Sequence, residues 1–345
     1  MKTTIYKNNT YGYLSYRIPC LAVSNKGTLL AFCEARRTCD DYAVMDIILR
    51  RKEAGAKSFS NIIIVTPKNN PSDTYNNPCV YILGNEIHLI YCKNYLEIYH
   101  VVSVDDGLTF SNPEQITYAV NNNKNLLPYS AVATGPDGAI VTNDGKIIIA
   151  SWIATGNENT GSKHDNSSFF LLYSLDMGKT WQTTNKIIPI KYNASETVAV
   201  ELDDGTILFN VRSINEKHRR MIIKCDKNFN FSNYYFDNAL IEQVCMASLT
   251  KTEYKGNTLY LFTNPNYSKD YTIWVNRKEL TLKISNDNCN TWNYSKIIKK
   301  GTSGYSSVKS YNGKIYVLYE SYKPDKPMNL VLYEVKIDSV IKNQA

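Results

Sequence analysis

The chain predicts an all-β fold, a six-bladed β-propeller, and three observations carry that prediction. An eight-residue frame, Ser-x-Asp-x-Gly-x-Thr-aromatic, returns several times along the sequence. Its copies start at residues 52, 103, 174, 224 and 285, at intervals of 51, 71, 50 and 61 residues, a spacing that points to a propeller or another radial array. Aromatic residues make up 12% of the 345-residue chain, with 27 Tyr, which favours strands over helices. Units of roughly 57 residues fit the chain about six times, so residues 1–345 are expected to form one domain.

The best copy of the frame is Ser174-Leu-Asp-Met-Gly-Lys-Thr-Trp181. In such a segment the Ser and Asp oxygens accept backbone N–H groups across a hairpin, the Gly takes positive φ, and the aromatic anchors the next strand. Ser103 to Phe110 repeats it, and Ser285 to Trp292 repeats it with Cys289 in the glycine position. In Lys224 to Phe231, Asp226 is kept and Asn228, which tolerates the left-handed conformation, replaces Gly. Lys52 to Phe59 keeps only a Gly/Lys/Ser/Phe outline, with Ala54 at the Asp position.

The formal charge is +7. Lys and Arg are scattered, without the basic run of a nucleic-acid binder, although the net charge can steer anionic ligands. Eight Cys, at 20, 33, 39, 79, 92, 225, 245 and 289, form no CxxC pair and read as reduced or buried. The four His, at 88, 100, 164 and 218, have no ligand spacing and no place in a Ser triad. No metal and no cofactor are therefore expected. Residues 1–8 lack the apolar run of a signal peptide, and no stretch is long enough to span a bilayer. A cytoplasmic location is the default expectation, with secretion or the cell surface as alternatives. Asn166 and Asn193 open Asn-x-Ser triplets of the kind an Asn-rich chain makes by chance.

In chain order, Arg17-Ile-Pro19 begins an apolar segment that turns at Asn25-Lys-Gly27 and ends in Glu34-Ala-Arg36. By itself Arg17 reads equally well as a snorkelling edge residue. The loop Thr38 to Asp46 holds Asp40, Asp41 and Asp46, of which Asp40 and Asp46 read as solvated loop acids, and leads into Leu49-Arg-Arg51. Asn76-Asn77-Pro78 is a turn signal. Thr134-Gly-Pro-Asp-Gly138 precedes a further hairpin and reads as structural. Two strands flank Asp203-Asp-Gly205, with Glu196 at the start of the first and Arg212 near the end of the second. That places both at one end of a hairpin, whereas Glu201, within the first strand, reads as a surface residue. Tyr271-Thr-Ile-Trp274 leads past Arg277 and Lys278 into the third good frame, and Gly304-Tyr305-Ser306 and Leu318-Tyr-Glu320 follow.

Arg-Ile-Pro, the hairpin, Glu-x-Arg and the repeated frames in this order resemble the sialidases of glycoside hydrolase family 33, whose Asp-box is similar to the eight-residue frame. The resemblance covers nearly the whole chain. It implies a six-bladed propeller with Asp-box hairpin turns and an exo-α-sialidase releasing terminal sialic acid from glycoproteins, glycolipids or oligosaccharides. Carried over by position, Arg17, Arg212 and Arg277 take the places of three arginines that grip the sugar carboxylate, with Lys278 as the rival of Arg277. Counting back from Leu49-Arg-Arg51 puts the acid/base on Asp41, with Asp40 as its neighbour. Glu196 takes the place of the base, Tyr305 that of the nucleophile, and Glu320 that of the acid that orients Arg17. Arg36 matches an Arg beneath the 4-hydroxyl side, and Asn77 a contact at the substrate rim.

The chemistry agrees with these residue types. A sialoside carries its carboxylate on the carbon under attack, so an anionic nucleophile is repelled, while a neutral phenol activated by a Glu is not. Planar guanidiniums suit the carboxylate because they bind it bidentately and stay charged. Asp41, on a mobile and sparsely charged loop, suits proton delivery to the leaving oxygen. Two alternatives share the same residues or scaffold: a trans-sialidase, including an intramolecular one, and a non-catalytic propeller that binds sialylated glycans.

Overall fold

The computed structural model describes residues 1–67, 72–268, 277–323 and 326–342. The segment 271–274 read above as the approach to a strand lies outside them. The fold is all-β. Four antiparallel sheets each take four strands in sequence order. Their innermost strands are Ser15–Val23, Tyr75–Leu83, Ala131–Val141 and Thr197–Glu201. A seven-stranded sheet follows, running from Ser248–Tyr254 to Asn329–Lys336 and ending on the N-terminal strand Lys2–Tyr6.

The innermost strands do not alternate between buried and exposed residues. Ser15–Val23 and Tyr75–Leu83 are buried along nearly their whole length, because both faces are covered, and apart from Ser15, Arg17, Asn76 and Asn77 their sequences are accordingly mostly apolar. Apolar clusters fill the space between each sheet and the next. Leu30 and Phe32 of the first sheet meet Leu89 and Tyr91 of the second, and Ile90, Trp152 and Trp181 belong to the cluster between the second sheet and the third. The last sheet returns to the first through Leu318, Leu332 and Tyr16. Each fully buried Leu, Ile or Phe stabilises such a seam by about 1.5–3 kcal/mol. Pairing of Lys2–Tyr6 with Asn329–Lys336 ties the two ends of the chain together.

The frames fold as local polar knots. Ser174 Oγ accepts from Gly178 N at 2.8 Å and donates to Asp176 Oδ1 at 2.7 Å. The Asp176 carboxylate also accepts from Thr180 N at 2.9 Å and Thr180 Oγ1 at 2.7 Å. Ser103/Asp105/Thr109 and Ser285/Asp287/Thr291 repeat this pattern, and these bonds hold Asp105 and Asp176 down to about 2. Cys289 adopts φ 61° in the glycine place.

Three expectations are corrected. In the fourth copy the left-handed residue is Phe229 (φ 61°), not Asn228. Asn228 N is bound to Asp226 Oδ1 at 2.8 Å, and Asn230 takes over the Thr bonds to that carboxylate. Glu201 is buried rather than on the surface, because its carboxylate accepts Asn143 N at 2.8 Å from the neighbouring sheet. Asp46 is not a solvated loop acid: Tyr13 Oη donates to it at 2.6 Å and Thr66 Oγ1 at 3.2 Å. All eight Cys are free, and all but Cys39 are buried.

Asp137, in the Gly-Pro-Asp-Gly turn, is buried and accepts from Ser248 Oγ at 2.7 Å and Lys309 Nζ at 3.2 Å. It thereby ties the innermost strand Ala131–Val141 to Ser248–Tyr254 and Tyr294–Tyr311 of the seven-stranded sheet. A side chain at Gly138 would collide with the Thr197 carbonyl, which explains the glycine.

Candidate active site

Several innermost strands bring polar residues to the same cleft, of about 670 Å3, where they start or bulge. Arg17 and Asn77 stand where the pairing of Ser15–Val23 and Tyr75–Leu83 shifts register. Glu196 immediately precedes Thr197–Glu201. Tyr305 lies in Tyr294–Tyr311 where its pairing passes from Lys278–Ser285 to Lys314–Ser321. A bulge re-aims side chains that regular pleating would turn away.

Two buried carboxylates hold these irregular turns. Ile18 and Asn77 each precede a proline with φ 53° and 54°, a conformation that costs a β-branched residue on the order of 1–3 kcal/mol. Glu320 Oε1 accepts Ile18 N at 3.1 Å and Arg17 Nε at 3.1 Å, and Oε2 accepts Tyr305 N at 2.9 Å. Glu34 Oε1 accepts Asn77 N at 2.8 Å, and Oε2 accepts Arg36 Nε at 2.9 Å and Nη2 at 2.5 Å. No motif assigns Glu34 this role, although a Glu inside the apolar run Leu29–Arg36 is a signal for it.

Tyr305 is the centre of the cluster. Its phenol is buried and donates a short hydrogen bond to Glu196 Oε1. Arg212 Nη1 donates to the same phenol at 2.7 Å and to Glu196 Oε2. The guanidiniums of Arg17 and Arg277 lie 5.3 and 5.6 Å from the ring centroid. Arg277 Nη2 donates to the carbonyl of Val244, which has φ 48°, while its Nε finds no acceptor among the described residues. Three cations thus surround one phenol, with donors left over for an anion.

The charges act on one another. Burial pushes the Tyr305 phenol well above its usual range; Arg212 opposes this and Glu196 adds to it. Burial would lower Arg212, but Glu196 and Tyr305 together outweigh it and the guanidinium is raised.

Asp41 differs from the expected acid on a sparsely charged loop. Its Oδ1 is held by Arg36 Nη1 at 2.6 Å and Arg17 Nη1 at 3.0 Å. Burial would raise its carboxyl, yet the two guanidiniums hold it far below the usual carboxylate range. Asp40 points its carboxylate at Tyr42 N instead. Lys278 opens a strand and contacts the ring of Tyr267, whereas Arg277 lines the cleft.

Beside Asp41 the wall is aromatic. His164 packs at a tilt against Tyr42 and Tyr95 and edge-on against Trp152, at centroid distances of 5.3, 4.7 and 5.2 Å, and burial keeps it neutral more readily than a free His. These residues are far apart in sequence and had given no earlier signal. Asn193 also lines the cleft, and its side chain accepts from Ser167 N at 2.8 Å.

Comparison with known proteins places the chain. The model of the BNR repeat-like domain matches residues 27–317. A sialidase of Bacteroides fragilis is 26% identical over 95% of this chain, which spans 63% of that relative's length. A sialidase of Clostridium perfringens is 25% identical over 91% of the chain and 88% of its own length. Among solved structures, a Hadza microbial sialidase superposes with TM-score 0.81 at 20% identity, over 99% of this chain and 69% of that one. Trypanosoma rangeli sialidase in complex with sialic acid gives 0.78 at 18% identity, over 99% and 59%. At these identities the structural likeness is one of fold. The family match spans most of the sequence, and the chain belongs to the BNR repeat-like family, sharing the fold of the sialidases it resembles.

Proposed function

We propose that the protein is an exo-α-sialidase that hydrolyses terminal sialic acid from glycoconjugates with retention of configuration. The observation that carries this reading is the contact of Tyr305 with Glu196 inside a ring of three guanidiniums. Residues 1–345 act as one six-bladed propeller. The six units are the four four-stranded sheets and two halves of the seven-stranded one. In support, the N-terminal part of Tyr294–Tyr311 pairs with one neighbour and its C-terminal part with another.

The carboxylate of the sugar sits between Arg17, Arg212 and Arg277. Glu196 takes the phenolic proton as Tyr305 attacks the anomeric carbon, and Asp41 protonates the departing oxygen. The sialyl-tyrosyl bond then breaks as Asp41 activates water, and the phenolate recovers its proton from Glu196. Arg36 steers Asp41, Asn77 borders the sugar, and Glu320 fixes Arg17 and Tyr305. In the free site Asp41 shares Arg17, so an arriving carboxylate competes with it for that guanidinium. Losing this partner frees Asp41 to hold a proton.

The test is incubation with a fluorogenic sialoside while the product is followed by NMR. Initial release of the α-anomer of free sialic acid, absent in Tyr305→Phe, supports hydrolysis with retention. An anhydro product means intramolecular transfer. A wild-type protein that binds the sialoside without turnover overturns the enzyme reading.

A further inference from the structure

Behind the cleft lies a carboxylate–guanidinium pair that the chemistry above does not use. Arg220 is fully buried and Glu242 is 2% exposed, with Nη1 and Oε2 2.7 Å apart. Arg220 also donates to Asn210 Oδ1 at 2.6 Å, to the Asn210 carbonyl at 3.2 Å and to the Cys245 carbonyl at 2.9 Å. Glu242 accepts Ser213 N and Cys245 N, each at 3.2 Å. The two backbone sites so tethered are neighbours of the site. Ser213 directly follows Arg212, and Cys245 directly follows Val244, whose carbonyl holds Arg277.

A buried ion pair is weak evidence for stability, because well-packed apolar residues of similar volume usually do as well. Its distinctive property is directional: six hydrogen bonds from one pair fix two chain segments relative to each other. Val244, a β-branched residue at φ 48°, keeps that backbone only while its flanks are held.

We propose that the Arg220–Glu242 pair is a positioning element that sets the separation of Arg212 and Arg277, and with it the selectivity of the cleft for ligands carrying a carboxylate. This inference rests on the reading of those arginines as the carboxylate grip. It is tested by inhibition with a 2,3-unsaturated sialic acid and with its C1-carboxamide, comparing wild type with the double variant Arg220→Met/Glu242→Leu. The apolar pair leaves the buried backbone groups of Asn210, Ser213 and Cys245 without these partners, so a lower thermal midpoint is expected, and in the folded variant the preference for acid over amide falls by roughly ten- to a hundredfold. Glu242→Gln, which keeps the outline and one acceptor, should lower the same ratio and provides the reading if the double variant does not fold. A folded variant with the wild-type ratio overturns the proposal. A wild type with no preference for the acid overturns the carboxylate grip itself.

Discussion

Tyr305 Oη donates to Glu196 Oε1 while accepting from Arg212 at 2.7 Å. With burial holding the phenol protonated well above its usual range, attack requires a base already in contact, and Glu196 is placed to be it. Glu196→Gln should therefore lower kcat on a fluorogenic sialoside by about 10²–10⁴-fold, with KM changed far less. Tyr305→Phe should lose the covalent intermediate in rapid-quench mass spectrometry. A Glu196→Gln enzyme with wild-type kcat would remove Glu196 from the chemistry.

What the sequence made legible is local. Ser174, Asp176 and Thr180 make their bonds within seven residues, so a short frame is enough to announce them. Tyr305 could be singled out among 27 tyrosines because Gly304 and Ser306 flank it. The missed features depend on partners supplied by other strands. Glu201 looked exposed because Asn143, whose N–H buries it, is 58 residues away. The clamp on Asp41 needs Arg17 from a different strand. Phe229 took the left-handed place of Asn228 because Asp226 captured Asn228 N, a choice between two nearly equal turns that composition does not decide.

Gly304 has a steric reason. A Cβ added there would overlap Glu320 Oε2, the oxygen that holds Tyr305 N. Gly304→Ala should displace that carboxylate, freeing Arg17 Nε and Tyr305 N together. Loss of a buried, charge-assisted bond corresponds to about 1.5–3 kcal/mol. A lower thermal midpoint together with a large fall in kcat/KM is expected, and wild-type values for both would refute the role given to Glu320.

Asp41, if it protonates the leaving oxygen, matters in proportion to how poor that leaving group is. Asp41→Ala should slow an alkyl or oligosaccharide sialoside by about 10²–10⁴-fold and a 4-nitrophenyl sialoside much less. Glu34→Gln, which weakens the grip on Arg36, should reproduce this pattern in milder form. Equal losses on both substrates would show that Asp41 acts only in binding.

Acid stability should trace to a pair far from the cleft. His88 Nδ1 and His100 Nε2 are 2.9 Å apart; Glu86 is 3.2 Å from His88 Nε2, and Tyr81 and Trp181 cover the rings. Burial lowers both His, and the neighbouring His88 lowers His100 further, from 6.5 to about 4. A base depressed in the folded state binds its proton in the unfolded chain first. Its contribution is therefore complete above pH 6.5 and is lost as pH falls from 6.5 towards 4, by up to about 3 kcal/mol. Asp105 and Asp176, held at about 2, act below the usual carboxylate range and so outside most of that window. The thermal midpoint should fall between pH 6.5 and 4.5, and His100→Gln should flatten this slope even where it costs stability at pH 7. An identical slope in the variant would place the acid sensitivity elsewhere.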